Sequence, residues 1–212
     1  VYLSQASGNN LTGYRDIAKF GATENAVSVG RYQTSVGVDF PILAATTFGN
    51  DDPGNVQQFR QGTGRTNALP KVGPIVITEI MYHPPDDPGG LDNILYEYVE
   101  LRNISSNAVP LYHTGFPTNT WQFRDGVNYI FPTNVTIPAG ATILVLSFDP
   151  VDDPGALALF RSHYSLGTGL AIYGPYNGKL DNGGEELALY KPDAPEGPTD
   201  PDAGFVPYIV VD

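Results

Sequence analysis

The sequence contains no cysteine. Disulfides, thiolate zinc sites and cysteine nucleophiles are therefore excluded at the outset. Basic residues are scarce: 11 Lys and Arg against 23 Asp and Glu leave a net charge of −12. Nucleic-acid binding draws its affinity from clustered Lys and Arg, so no nucleic-acid partner is expected. No run approaches the roughly 20 apolar residues of a spanning helix, and no membrane span is expected. No leader peptide is visible at residue 1. Val1 opens directly in the strand-like VYLS, so the chain is expected to begin inside a larger product. His83, His113 and His163 lie far apart and form no HExxH pair, which argues against zinc. No G-x-S-x-G is present, and a serine nucleophile elbow is not expected.

What is present suits a compact β protein. Hydrophobic residues make up 41% of the chain, enough for a core of ordinary size. The 24 glycines and 19 prolines punctuate rather than repeat, which predicts many short strands joined by turns. The acidic balance fits a secreted or surface protein that binds cations. Residues 1–48 alternate short strand-like pieces with turns, and residues 49–73 are polar and aperiodic, a linker.

From Pro74 the strand signal strengthens. PIVITEIMY and YEYVELRN are both strands, yet they carry Glu79, Glu97 and Glu100. Two close carboxylates can do acid–base work. However, Glu97 shares a face with Val99 and Leu101, whereas Glu100 lies opposite with Tyr98 and Arg102, so the two cannot converge without a bulge. The expectation is structural: glutamates that cap loops, pair with Arg102 or face solvent. TWQFRDGVNYIFP reads as a hairpin turning at Asp125-Gly126, with Trp121 and Phe123 facing the core. In DDPGALALFRSHY, Asp153 is the N-cap and Pro154 the first residue of a helix over 154–164. The strands LAIYG and EELALYK follow, with turns at Asn177-Gly178 and Asn182-Gly183. Tyr173 and Tyr176, beside Gly174-Pro175, read as exposed tyrosines able to face a partner. YIVVD closes the sequence as the start of another strand.

DDPG occurs at 51–54, 86–89 and 152–155. Calcium prefers several carboxylate and carbonyl oxygens on a loop, which makes DDPGGLDN the candidate site for Ca2+, with Asp86, Asp87, Asp92 and Asn93 as ligands. None of the three has EF-hand spacing, and Asp-Pro-Gly is also plain turn chemistry. N-x-S/T sequons stand at Asn10, Asn103 and Asn134.

Residues 74–190 resemble the lamin-tail domain in its bacterial form. The resemblance is carried by VITEIMYHPP, EYVELRN, WQFRDGVNYIFP, TIPAGATILVLSFDP, ALALFRSHY and GKLDNGGEELALYKPD, in that order. It implies an all-β fold, an immunoglobulin-like β-sandwich with one short helix, and no catalytic residues. VYLSQASGNNLTGYRDIAKFGATENAVSVGRY resembles the end of a similar domain, with Val1–Ser4 equivalent to Leu187–Tyr190. The domain plan expected is thus a partial copy at 1–48, a linker at 49–73 and a sandwich at 74–212 short of its closing strands. Either the N-terminal segment supplies those strands, within the chain or from a neighbour, or the chain is a fragment.

The function expected is a non-catalytic structural or adhesive module of an exported or cell-surface protein, self-associating through unpaired strands. The alternatives are a carbohydrate-binding accessory domain of a larger secreted enzyme, which would show a row of exposed aromatics, and a hydrolase fragment with an acidic, metal-bearing pocket.

Overall fold

The computed structural model describes residues 1–47, 55, 57–58 and 67–212, so most of the expected linker and its DDPG at 51–54 lie outside the described residues. The chain divides into two compact units, Val1–Lys71 and Val72–Asp212.

The first unit is built of hairpins. β1 (Tyr2–Ser7) and β2 (Asn10–Ile17) pair antiparallel, with a bulge between Ser4 and Ala6. Gly8 takes the turn at φ +60°, a conformation that costs glycine little. β3 (Tyr32–Thr34) and β4 (Gly37–Asp39) form a tighter hairpin, in which the Thr34 hydroxyl donates to the Gly37 carbonyl at 2.9 Å. Among the described residues, Leu43 is the one hydrophobic side chain buried in this unit.

The second unit is a sandwich. One sheet has the order β14-β13-β6-β5, from β5 (Ile75–Met81), β6 (Tyr98–Asn103), β13 (Thr142–Leu146) and β14 (Ala171–Tyr173). The facing sheet has the order β11-β10-β15-β16, from β10 (Gln122–Asp125), β11 (Tyr129–Ile130), β15 (Leu187–Pro192) and β16 (Tyr208–Val210). Two small ribbons complete it: β7 (Val109–Pro110) with β12 (Thr136–Ile137), and β8 (Tyr112–His113) with β9 (Phe116–Thr120). β14 runs parallel to β13 and belongs to the first sheet, while β15, its successor in sequence, belongs to the second.

Side-chain alternation explains the layering. Val99 and Leu101 of β6 and Ile143 and Val145 of β13 point into the sandwich, against Phe123, Phe131 and Leu189. Tyr98, Leu144 and Leu146 point the other way and pack with Phe160. β13 is therefore apolar on both faces, because a helix covers its outer side. That helix, α1 (Pro154–His163), is capped by the Asp153 carboxylate, which accepts from the Ala156 amide at 2.8 Å. Pro154 stands in the first turn, where its missing N–H costs nothing. The fully buried Phe160 meets Tyr98 edge-on, with ring centroids 6.1 Å apart. The all-β, immunoglobulin-like class and the short helix that follows Asp153 agree with the sequence reading.

Asp212 ties the sheets together. Its backbone carbonyl accepts from Leu189 of β15 at 2.8 Å, and its carboxylate accepts from the Ile77 amide on β5 at 2.7 Å.

Candidate functional site

The three glutamates have separate fates. β5 and β6 slip register between Ile77 and Glu79, and this bulge sets Glu79 directly opposite Glu100. Like charges facing each other across a sheet oppose pairing. Two hydroxyls offset this: the Tyr98 phenol donates to Glu79 at 2.6 Å and the Thr78 hydroxyl to Glu100 at 2.5 Å. Burial and the Glu79 charge together hold the Tyr98 phenol well above its usual range. The partners of these glutamates are therefore hydroxyls of the same two strands.

Glu97 corrects the expectation of a capping or solvent-facing residue. It is fully buried, on the same face as Val99 and Leu101. It follows a 3-10 turn, Ile94–Tyr96, and its carboxylate Oε2 accepts from the Tyr176 phenol at 2.6 Å and the Leu180 amide at 3.2 Å. Among the described residues, Oε1 has no hydrogen-bond partner. Burial pushes the Glu97 carboxyl above its ordinary range, while the bonds from Tyr176 and Leu180 pull it back. Tyr176 is pushed upward in turn by burial and by Glu97.

Tyr176 and Tyr173 are likewise not the exposed tyrosines read from the sequence. Tyr176 is 3% exposed and belongs to the core, and Tyr173 is half-buried against it. The reason lies at Gly174. A Cβ there would fall 2.3 Å from the Phe148 carbonyl, so only glycine lets this segment press against the end of β13. The Tyr176 amide then bonds the Leu146 carbonyl at 2.9 Å, and the ring turns inward. Trp121 is buried too, as expected, and so offers no platform for sugar stacking.

The acidic loop before Glu97 is organised by its own backbone. Asp87 Oδ1 accepts from the amides of Gly89 at 2.7 Å and Leu91 at 3.0 Å. The Asp87 and Leu91 main chains close the loop at 2.9 Å. Asp86 is exposed and Asn93 half-buried, and the Asn93 side chain makes no cap bond to the 3-10 turn. Asp92 faces elsewhere: its Oδ2 pairs with the Lys179 ammonium at 2.8 Å, and the Asn182 side chain also bonds its carboxylate. The hydrogen bond from Lys179 lowers the Asp92 carboxyl below its usual range, and Asp92 raises Lys179. Among the described residues, no group of three or more His, Asp or Glu converges as a metal-binding set.

The structure thus brings together Asp92, Glu97, Tyr176 and Lys179, of which the sequence singled out only Asp92 as a ligand. One signal was available: a glutamate in phase with Val99 and Leu101 must be buried and must find a donor. The donors themselves come from far along the chain.

A family model described as Lamin Tail Domain matches residues 69–197 of this chain. No curated protein matches it.

Proposed function

The chain belongs to the lamin tail domain family, and on that premise we propose that it is a structural or adhesive module of an exported or cell-surface protein, assembling by strand complementation between copies. The family supports a non-catalytic immunoglobulin-like β-sandwich. The observation that carries the finer reading is the contrast between the two units. The sandwich buries a continuous core. In the hairpin unit, Tyr2 is 75% exposed and Leu3 and Leu11 are each 66% exposed. A two-stranded hairpin is marginally stable in water on its own. Apolar side chains presented on such a hairpin call for a sheet to lie against. The likeness of Val1–Ser4 to Leu187–Tyr190 indicates which kind: in the sandwich, β15 is a central strand, bonded to β10 on one side and β16 on the other. Among the described residues, β1 has β2 on one side only. A second copy that offers a strand to the other side of β1 would complete the arrangement.

Static light scattering over a wide concentration range tests this. The expected result is a mass that grows with concentration, and a Leu3→Asp/Leu11→Asp variant that remains a monomer while the sandwich unfolds as before. A wild-type monomer at every concentration overturns self-assembly. A monomer that binds polysaccharide would replace it with the accessory sugar-binding reading.

A further inference from the structure

Between β15 and β16 the chain runs out as a tongue, residues 193–207, that is fastened by its own backbone. The Asp193 amide bonds the Pro207 carbonyl at 2.9 Å, the Glu196 amide the Phe205 carbonyl at 2.8 Å, and the Phe205 amide the Asp202 carbonyl at 2.8 Å. The Gly197 amide donates to the Asp200 carboxylate at 2.8 Å. On this fixed segment stands Phe205, 61% exposed and outside both hydrophobic clusters of the sandwich. No other described aromatic residue of the second unit is as exposed. Glu196, Asp200 and Asp202 are exposed on the same tongue. A rigid aromatic ring on a preorganised support is the kind of group that anchors an interface.

The first unit holds a complementary surface. A cleft of about 310 Å³ opens where its first hairpin ends, lined by Val1, Tyr2, Ile17, Ala18, Lys19 and Phe20. The strands pair at Tyr2 and Ile17, and the Ala18 amide bonds the Val1 carbonyl at 3.1 Å. Tyr2, Ile17 and Phe20 are all exposed there, so apolar surface is concentrated around one concavity. Among the described residues, no carboxylate pairs with Lys19, the cation in its wall.

We propose that this cleft receives Phe205 of a second copy, with Lys19 set against the acidic tongue. The inference rests on the self-association proposed above and gives it a side-chain anchor. Charge favours this chain as its own partner: a lysine in an apolar cleft suits a phenylalanine flanked by carboxylates. Cleft and tongue are different surfaces, so the contact is heterologous, and a joined pair still has one free cleft and one free tongue for further copies.

Sedimentation velocity of the full chain over a range of concentrations tests the contact. Phe205→Ser is expected to weaken self-association about thirty-fold, the loss of one buried anchor. Phe20→Ser should act in the same direction, and the double variant should be hardly weaker than either single one, because both remove the same contact. Lys19→Glu should weaken association several-fold, and Lys19→Glu/Asp202→Lys should recover it. Urea midpoints of the sandwich should stay unchanged throughout, since these side chains are exposed. If Phe20→Ser disturbs its hairpin, the charge exchange decides in its place. A wild type that assembles while Phe205→Ser assembles equally well overturns this contact and leaves self-association standing. Losses that multiply in the double variant, or a charge exchange without recovery, also overturn it. A wild-type monomer at every concentration removes self-association and this contact with it. A monomer whose cleft takes up an apolar dye, lost in Phe20→Ser, would give the cleft to a small apolar ligand and overturn docking between copies.

Discussion

Glu97, just before β6, and Asn103, its last residue, are both at 0% exposure, and they show two ways of keeping a polar group inside a core. The Asn103 amide donates to the carbonyls of Asn107 at 2.7 Å, Ile137 at 2.9 Å and Pro138 at 3.1 Å, and its oxygen accepts from the Ser105 amide at 2.9 Å. Asn103 also heads a sequon, as do Asn10 and Asn134, which are exposed. In a glycosylating host, mass spectrometry of the folded protein should find glycan at Asn10 or Asn134 and none at Asn103. Glycan on Asn103 in soluble, folded protein would contradict this burial. Glu97 is satisfied only in part, and its pH signature follows from that. Its folded pKa is raised above the ordinary glutamate value, chiefly by burial. Below the unfolded value both states carry the proton. As pH rises from there through the folded pKa, the native state holds the proton longer, so stability falls over that window. Asp92 acts in the opposite sense, because the Lys179 hydrogen bond holds its folded pKa below the ordinary aspartate value and its contribution is lost as pH falls through the folded pKa. In urea titrations across pH, Glu97→Gln should remove the loss that sets in above the ordinary glutamate pKa and leave the acid limb in place. The face on which Glu97 sits was legible from its parity with Val99 and Leu101. Its partner was not, because Tyr176 lies 79 positions away and Gly174-Pro175 beside it reads as an exposed turn.

At the scale of elements, α1 was legible because its start signals are local. Asp153 and Pro154 are neighbours, and the cap bond spans three residues. Asp153→Ala should cost about 1 kcal/mol in chemical denaturation, the usual value of a carboxylate or hydroxyl N-cap. Where the helix docks was not legible. Nothing local tells that Tyr98, Leu144 and Leu146 form the surface beneath it. β13 reads as a run of apolar residues, a pattern shared by any strand covered on both faces. Phe160→Ala should cost about 3–5 kcal/mol, because it empties a fully buried position between helix and sheet. If the loss matches that of an exposed helix residue, the helix does not carry the outer face of the sheet. The bulge in β5 was equally hidden. Alternation alone sets Glu97 and Glu100 apart correctly, but only the slipped register brings Glu79 opposite Glu100.

At the scale of the whole chain, the two units differ in what they bury. Residues 72–212 expressed alone should unfold in one cooperative transition, since their core is internal. Residues 1–71 alone should show no such transition, because among their described residues Leu43 is the one buried hydrophobic side chain. A cooperative transition in the shorter piece would remove the need for a complementing copy. The sandwich was legible from the order of its strands and from the family motifs they carry. The hairpins were legible as strands. On the proposed reading a second copy covers them, and the sequence of residues 1–71 does not by itself name that partner.

The outer edge of β5 has a further consequence. An incoming strand that sought to extend the sheet there would need the outward amide of Ile77, and that amide is held by the Asp212 carboxylate. The residue that offers this carboxylate is also bonded to Leu189 of the opposite sheet. Growth at that edge and closure of the sandwich therefore compete for one hydrogen. A chain that polymerised through β5 would have to loosen its own seam first, so this edge is guarded for as long as the fold is shut.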